Sequence, residues 1–234
     1  MGLKESGLRG SLRSVSTGVR AIPDSVVSDA DGTYWASDLD ANDGDSITDW
    51  PDYSDAGNDI SGGGPVYKSD VVNGEPVVRF DGTDDVLSES SVSNSFPFTQ
   101  IAIFQTDNPN SGQTAIGQSD SDNIAKIGTG DSDVGYSTRN GNDFAASNEL
   151  TTDWKVLIGV HESSETTIRV NGNEFAGTSD SETGSGISVG ASRAGDFGFI
   201  DGDIAFASKI PRLLDSSEVD EIEQWASDTY GITL

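Results

Sequence analysis

From Ala21 onward, short apolar runs alternate with clusters of Gly, Asn, Asp and Ser, a spacing that predicts an all-β sandwich. Strands are predicted at Val77–Phe80, Thr99–Phe104, Val134–Ser137, Trp154–His161, Thr166–Val170 and Ile204–Ile210. In the fourth of these, the period of two puts Trp154, Val156, Ile158 and Val160 on one face. Asn171-Gly172 supplies two residues tolerant of positive φ and predicts a tight hairpin turn after Val170. Asn140-Gly141, between Tyr136 and Phe144, is a second candidate turn. One segment reads as a helix: Ser217-x-x-Asp220 offers a capping box, with Asp215 and Ser216 as competing caps. Val219, Ile222, Trp225 and Ala226 follow as an apolar stripe, and Gly231 is a stop signal. That stripe reads as core packing, as do Trp35, Trp50, Trp154 and Trp225.

Composition narrows the partners. The 234 residues can bury a real core as one domain. No run approaches 18 apolar residues, so no membrane span is predicted. Without Cys, disulfides and thiolate chemistry are excluded, and the single His161 excludes a His-rich metal site. A net charge of −27 argues against nucleic acid and anionic membrane as partners, since both are polyanions. Aspartates outnumber glutamates 29 to 11 and are spread along the chain. In molar salt the screening length falls to roughly 3 Å, and their mutual repulsion with it. Abundant short carboxylates with few Lys resemble the proteins of extreme halophiles, particularly haloarchaea.

The first 20 residues differ in sign from the rest. Lys4, Arg9, Arg13 and Arg20 against Glu5 leave them at +3, and the remaining chain at −30. Residues 1–23 therefore read as a basic anchoring arm and 24–234 as the folded domain. Leu3, Leu8, Leu12 and Val15 give the arm a sticky edge, while Gly2, Gly7, Gly10 and Gly18 disfavour a free helix. The stretch has no apolar signal region, so no secretory leader is expected.

Several strings carry a resemblance. Leu39 to Trp50 followed by Tyr53 to Asn58, then Val72-Asn-Gly-Glu-Pro-Val-Val-Arg-Phe-Asp-Gly-Thr-Asp-Asp-Val-Leu87, resemble concanavalin A-like (LamG-type) jelly-roll domains. Trp154 to Gly172, and Gly202-Asp-Ile-Ala-Phe206 with the helix to Gly231, are similar to the central hairpin and closing segment of that family. The closing strand departs from it at Phe206 to Pro211, and Ser119 to Asn123 form an extra polar loop. The resemblance implies an antiparallel two-sheet jelly-roll sandwich with one C-terminal helix. Met1 to Arg13 resembles the start of structural proteins of haloarchaeal tailed viruses.

Folds of this class host lectins and glycosidases alike, so residues must decide. The concanavalin-like glycosidases carry a Glu-x-Asp-x-Glu strand, whereas the nearest string here, Glu218 to Glu223, has other spacing and falls on the predicted helix. His161, at the end of a predicted strand, reads as a packing or solvent residue. No catalytic residue is expected. Asp38-x-Asp40-x-Asn42-Asp-Gly44 with Asp49 partly imitates a calcium loop, but Gly falls one place late and Asp replaces the bidentate Glu. Asp81, Asp84 and Asp85 form another acidic turn. No cofactor is expected, and calcium is the one alternative those loops leave open. Tyr136, Arg139 and Phe144, around the second turn, are the candidate glycan platform, with Phe197 and Phe199 as a further pair.

Together these readings point to a virion structural protein of a haloarchaeal tailed virus, a capsid turret or tail fibre displaying a lectin-like jelly roll. Its expected partners are copies of itself (threefold or fivefold), other virion proteins through Lys4, Arg9, Arg13 and Arg20, and a host glycan or S-layer glycoprotein. It would assemble in the host cytoplasm and act at the virion surface in high salt. The alternatives are a cellular haloarchaeal adhesion module and, third, a glycosidase; an adhesin would need an export signal.

Overall fold

The computed structural model describes residues 21–93, 95–120, 125–129, 134–138, 144–146, 149, 151–178, 184–192, 195 and 198–234. A short helix α1 (Asp24–Ser28) precedes the strands β1 (Gly32–Trp35), β2 (Asp49–Trp50), β3 (Ile60–Gly63), β4 (Val66–Val72) and β5 (Glu75–Asp81). Next come β6 (Val86–Ser93), β7 (Phe98–Thr106), β8 (Gln113–Gly117), β9 (Ala125–Thr129), β10 (Val134–Thr138) and β11 (Phe144–Ala146). The chain closes with β12 (Lys155–His161), β13 (Glu165–Val170), β14 (Asn173–Thr178), β15 (Ser185–Val189), β16 (Asp201–Ile210) and helix α2 (Ser216–Tyr230).

These strands form two antiparallel sheets packed as a jelly-roll sandwich. The first runs β14-β13-β12-β7-β16-β5-β4, with β1 also on β16; the second runs β11-β10-β9-β8-β15-β6-β3-β2. Strand alternation in the first sheet feeds two separate cores. Phe98, Ala102 and Phe104 of β7, Leu157 of β12 and Ile204 of β16 point between the sheets, against Leu87, Ile116, Ile127 and Val189. Ile101, Ile103, Val156, Ile158 and Phe206 point outward, where α1 and α2 cover them with Val26, Val219, Ile222, Trp225 and Tyr230. The Trp154–Val160 stripe therefore lies beneath a helix and not between the sheets, with Trp154 and Val160 partly buried at its margin.

Local signals resolve as their chemistry dictates. Asn171 and Gly172 sit at φ 46° and 83°, which the tight turn between β13 and β14 requires. The cap of α2 is Asp215, not Ser217: its carboxylate accepts from Ser217 N–H and Glu218 N–H, and Glu218 returns the bond to the Asp215 N–H. Gly231, at φ 69°, ends the helix. Ile22, just ahead of α1, is only 5% exposed and already belongs to the second core.

Candidate functional site

Between α1, the end of β1 and the loop after β2 lies a cavity of about 270 Å³. Among the described residues its walls are Ala21, Ile22, Asp24, Val27, Ser28, Trp35, Tyr53, Ser54 and Asp55. Alternation along β1 explains the aromatic wall: Tyr34 turns into the inter-sheet core, so Trp35 turns out onto the second. The Trp35 ring meets Phe206 and Trp225 edge-on inside that core. On its other side it meets Tyr53, with centroids 5.6 Å apart and planes at 87°. Tyr53 is 45% exposed, one of few large apolar side chains left in solvent among the described residues.

The loop carrying Tyr53 is fixed from within. One Asp52 oxygen accepts from the Thr33 and Ser54 N–H groups, each at 2.8 Å. The other accepts from the Ser54 hydroxyl at 2.8 Å and the Asn58 N–H at 2.9 Å. Tyr34 donates its hydroxyl proton to the Asn58 carbonyl, and the Asn58 amide donates to the Asp31 carbonyl. Burial pushes the Tyr34 phenol far up, so it remains a neutral donor.

The cavity wall is acidic. Asp24 and Asp55 line it, and their carboxylates make no hydrogen bond or ion pair among the described residues. Among the described residues, no Lys, Arg or His lines the cavity. Of the described cations, Lys209 is buried on Asp31, and Arg212 pairs with Asp29 and Glu218. Burial pushes the Lys209 ammonium down and Asp31 opposes it, whereas Glu218 holds the Arg212 guanidinium up.

The candidates read from sequence fall elsewhere. Tyr136 and Phe144 are directly paired across β10 and β11, and Tyr136 pairs with Ile127 on β9. That register row continues through Ile116, Val189 and Leu87, all of which line the inter-sheet core. The side chains of Tyr136 and Phe144 lie outside what is described, as do Arg139, Phe197, the Asn140-Gly141 turn, and Lys4, Arg9, Arg13 and Arg20. Phe199 is half-buried.

His161 is fully buried, 4.7 Å from the Phe98 ring centroid, with Nδ1 3.1 Å from the Thr166 hydroxyl. Burial pushes its pKa down to about 3, so it is a neutral packing residue with no access to substrate. The carboxylates of α2 are structural: Glu218 serves the cap and Arg212, and Glu223 takes Arg169 at 2.5 Å and the Gly172 N–H at 2.8 Å.

Around the calcium-like loop, Asp45 accepts from the Asn42 N–H and amide, Asp43 from the Ser69 N–H across to β4, and Asp49 from the Thr48 hydroxyl. Asn42 thereby holds the Asp45 carboxyl below its usual range. Among the described residues only Asp81, Asp84 and Asp85 bring three carboxylates within 4.8 Å. Two of them are committed to the turn itself, Asp85 to the Asp81 N–H and Asp81 to the Thr83 N–H. Burial raises the Asp85 pKa, which works against its charged, metal-binding form.

No family model and no curated protein matches the chain. Solved structures do match its fold. Trypanosoma rangeli sialidase, in complex with sialic acid, superposes with a TM-score of 0.59 at 14% identity, over 85% of this chain and 33% of that one. Domain 4 of AbnA, a GH43 extracellular arabinanase from Geobacillus stearothermophilus in complex with arabinotriose, gives 0.56 at 15% identity, over 83% and 98%. The botulinum neurotoxin serotype D binding domain gives 0.55 at 11%, over 87% and 52%. The chain thus spans about a third of the sialidase and nearly all of the arabinanase domain. These likenesses show the fold: a two-sheet antiparallel β-sandwich.

Proposed function

We propose that this chain is a glycan-binding β-sandwich with no catalytic chemistry of its own, carried on the surface of a haloarchaeal tailed virus. The observation that carries the binding reading is the cavity walled by Trp35 and the exposed Tyr53, with carboxylates and hydroxyls at its rim. An aromatic face takes the C–H side of a sugar ring, and fixed acceptors take its hydroxyl protons. At 270 Å³ the cavity sits near the lower end of the roughly 300–1,000 Å³ typical of small-molecule sites, a size for a sugar residue and not a long chain. Two solved neighbours, the sialidase and the arabinanase domain, hold sugars, which supports the same reading.

The viral setting rests on the sequence: the acid surplus suits molar salt, and the basic stretch to Arg20 suits docking on an acidic particle. The glycan platform Tyr136, Arg139 and Phe144 remains a second candidate surface on the same domain. Titrating the full chain in molar salt with glycans released from haloarchaeal cell surfaces tests the binding reading. Saturable binding supports it, and none at any concentration overturns it. Removing residues 1–20, and stopping short of the core residue Ile22, tests the arm; normal incorporation of the truncated chain into particles overturns its anchoring role.

A further inference from the structure

We propose that Lys209 and Asp31 condense after folding into an isopeptide bond, a covalent cross-link between β16 and the residue that precedes β1. The Lys209 side chain is 1% exposed and its Nζ is in direct contact with Asp31 Oδ2. The centroid of the buried Phe98 ring lies 5.5 Å from that nitrogen. Register holds the pair together. The Asp31 N–H donates to the Lys209 carbonyl at 2.8 Å, and Gly32 is paired opposite Lys209. One register step on, the Thr33 and Ser208 hydroxyls meet at 2.9 Å. The Asn58 amide donates to the Asp31 carbonyl at 2.7 Å, and on its other side Lys209 pairs with Gln100 of β7. Amine and carboxyl are therefore kept in contact by the sheet itself, and groups held in that way react as if at very high concentration.

The pair also has the right chemistry. The other ion pairs among the described residues are made by Arg79, Arg169 and Arg212, whose guanidinium groups stay protonated. Lys155, also buried, donates to the Thr151 and Asp153 carbonyls and the Thr151 hydroxyl. Burial pushes the Lys209 ammonium down, although Asp31 and Glu89 oppose it. Passing one proton from Nζ to Asp31 turns the charged pair into a neutral amine beside a neutral acid. The nitrogen lone pair then attacks Asp31 Cγ and forms the N–C bond. A second nitrogen proton passes to the departing hydroxyl, the C–O bond breaks and water leaves on the Asp31 side, which is 24% exposed. One ammonium and one carboxylate become one amide and one water, with no oxidant or cofactor. The reaction happens once per chain and turns over no substrate.

The product suits its surroundings better than the reactants do. It removes two charges from a site where their desolvation is costly. It joins residues 178 apart in a chain that has no Cys, and so restricts the unfolded chain as a long-loop cross-link does. It also clamps β1, the strand that carries Trp35 and meets the Tyr53 loop through the Thr33 N–H on Asp52.

Intact mass spectrometry of the full chain, purified in molar salt and then unfolded, is the test. The chain should be lighter than its sequence by the mass of one water. Trypsin should release residues 21–68 joined to residues 194–212, because Lys209 is no longer a cleavage site. Lys209→Arg keeps a cation against Asp31 without a nucleophilic amine, and should show its full sequence mass, as should Asp31→Ala. A parent chain at full sequence mass overturns the proposal. So does a lost water found within linear residues 21–68 while Lys209 is cleaved normally, since Asp31-Gly32 can instead close on its own backbone nitrogen. A water loss that persists in Lys209→Arg overturns it as well.

Discussion

Trp35 and Tyr53 meet edge to face, 5.6 Å between centroids, and Trp35 stands at the same 5.6 Å from Trp225 of α2. The wall of the cavity is thus continuous with the core that fastens both helices to the first sheet. Close-packed interiors resist deformation, so the half of the wall made by Trp35 is fixed by the fold. The other half, Tyr53, depends on its loop.

That dependence makes Asp52 a positioning residue. Its carboxylate gathers the N–H groups of Thr33, Ser54 and Asn58 and the Ser54 hydroxyl. Asp52→Ala strands these donors and should cost about 1–3 kcal/mol of stability. Sugar affinity should fall with it, whereas Asp52→Asn should restore part of both. Equal affinity in Asp52→Ala and the parent, by titration, would contradict this role.

A second device ties α2 to the β13–β14 hairpin. Glu223, 2% exposed, takes the Arg169 guanidinium and the Gly172 N–H, and Arg169 reaches on to Asp220. Arg169→Ala leaves the Glu223 carboxylate buried without its cation, a loss of about 3–5 kcal/mol. Glu223→Gln should cost less, because its amide oxygen can still accept from Gly172. Chemical denaturation of both variants in molar salt, with the two costs in the opposite order, would refute the assignment.

The buried imidazole sets an acid limit. In the folded chain His161 is held down to about 3, while the unfolded chain titrates near the ordinary 6.5. Above 6.5 both states are neutral and the contribution is intact. Between about 6.5 and 3 only the unfolded chain binds the proton, so stability is lost as pH falls, by up to about 1.4 kcal/mol per unit. Comparing the pH dependence of the denaturation midpoint in the parent and in His161→Gln isolates this from the carboxylates. The variant should show the shallower slope; identical slopes would exclude the effect.

Charge sets a salt limit. At −27, the sandwich should lose stability steadily as ionic strength falls from molar to about 10 mM, where the screening length reaches roughly 30 Å. Thermal melting across that range should show a falling transition and, at the low end, an unfolded chain. A melting temperature independent of salt would remove the halophile reading.

Much of the fold was legible in the sequence because strand alternation is strong. Val77–Phe80 sits within β5, Thr99–Phe104 within β7, and Thr166–Val170 within β13, and the Asn171-Gly172 turn falls where its chemistry placed it. The five residues of α1 were not foreseen, since so short a segment carries no helical period. The cap of α2 shifted to Asp215, because the pattern of Asp three residues before Glu218 satisfies the box as well as Ser217 does with Asp220. The cavity was the least legible part. Trp35 read as core, which its contacts with Phe206 and Trp225 support, but its Tyr53 edge depends on a loop folded by Asp52. An aromatic within the turn-rich stretch from Pro51 to Asn58 was the one signal available.

The chain has four tryptophans, hence four indole N–H resonances, which makes the central claim directly measurable. Trp50 and Trp225 are sealed in the cores and Trp154 is partly buried against the second, so of the four only Trp35 borders the cavity. Titrating a bound glycan into 15N-labelled protein in molar salt should move the Trp35 indole resonance in proportion to occupancy and leave Trp50 and Trp154 in place. Saturable binding that leaves Trp35 unmoved would contradict the account.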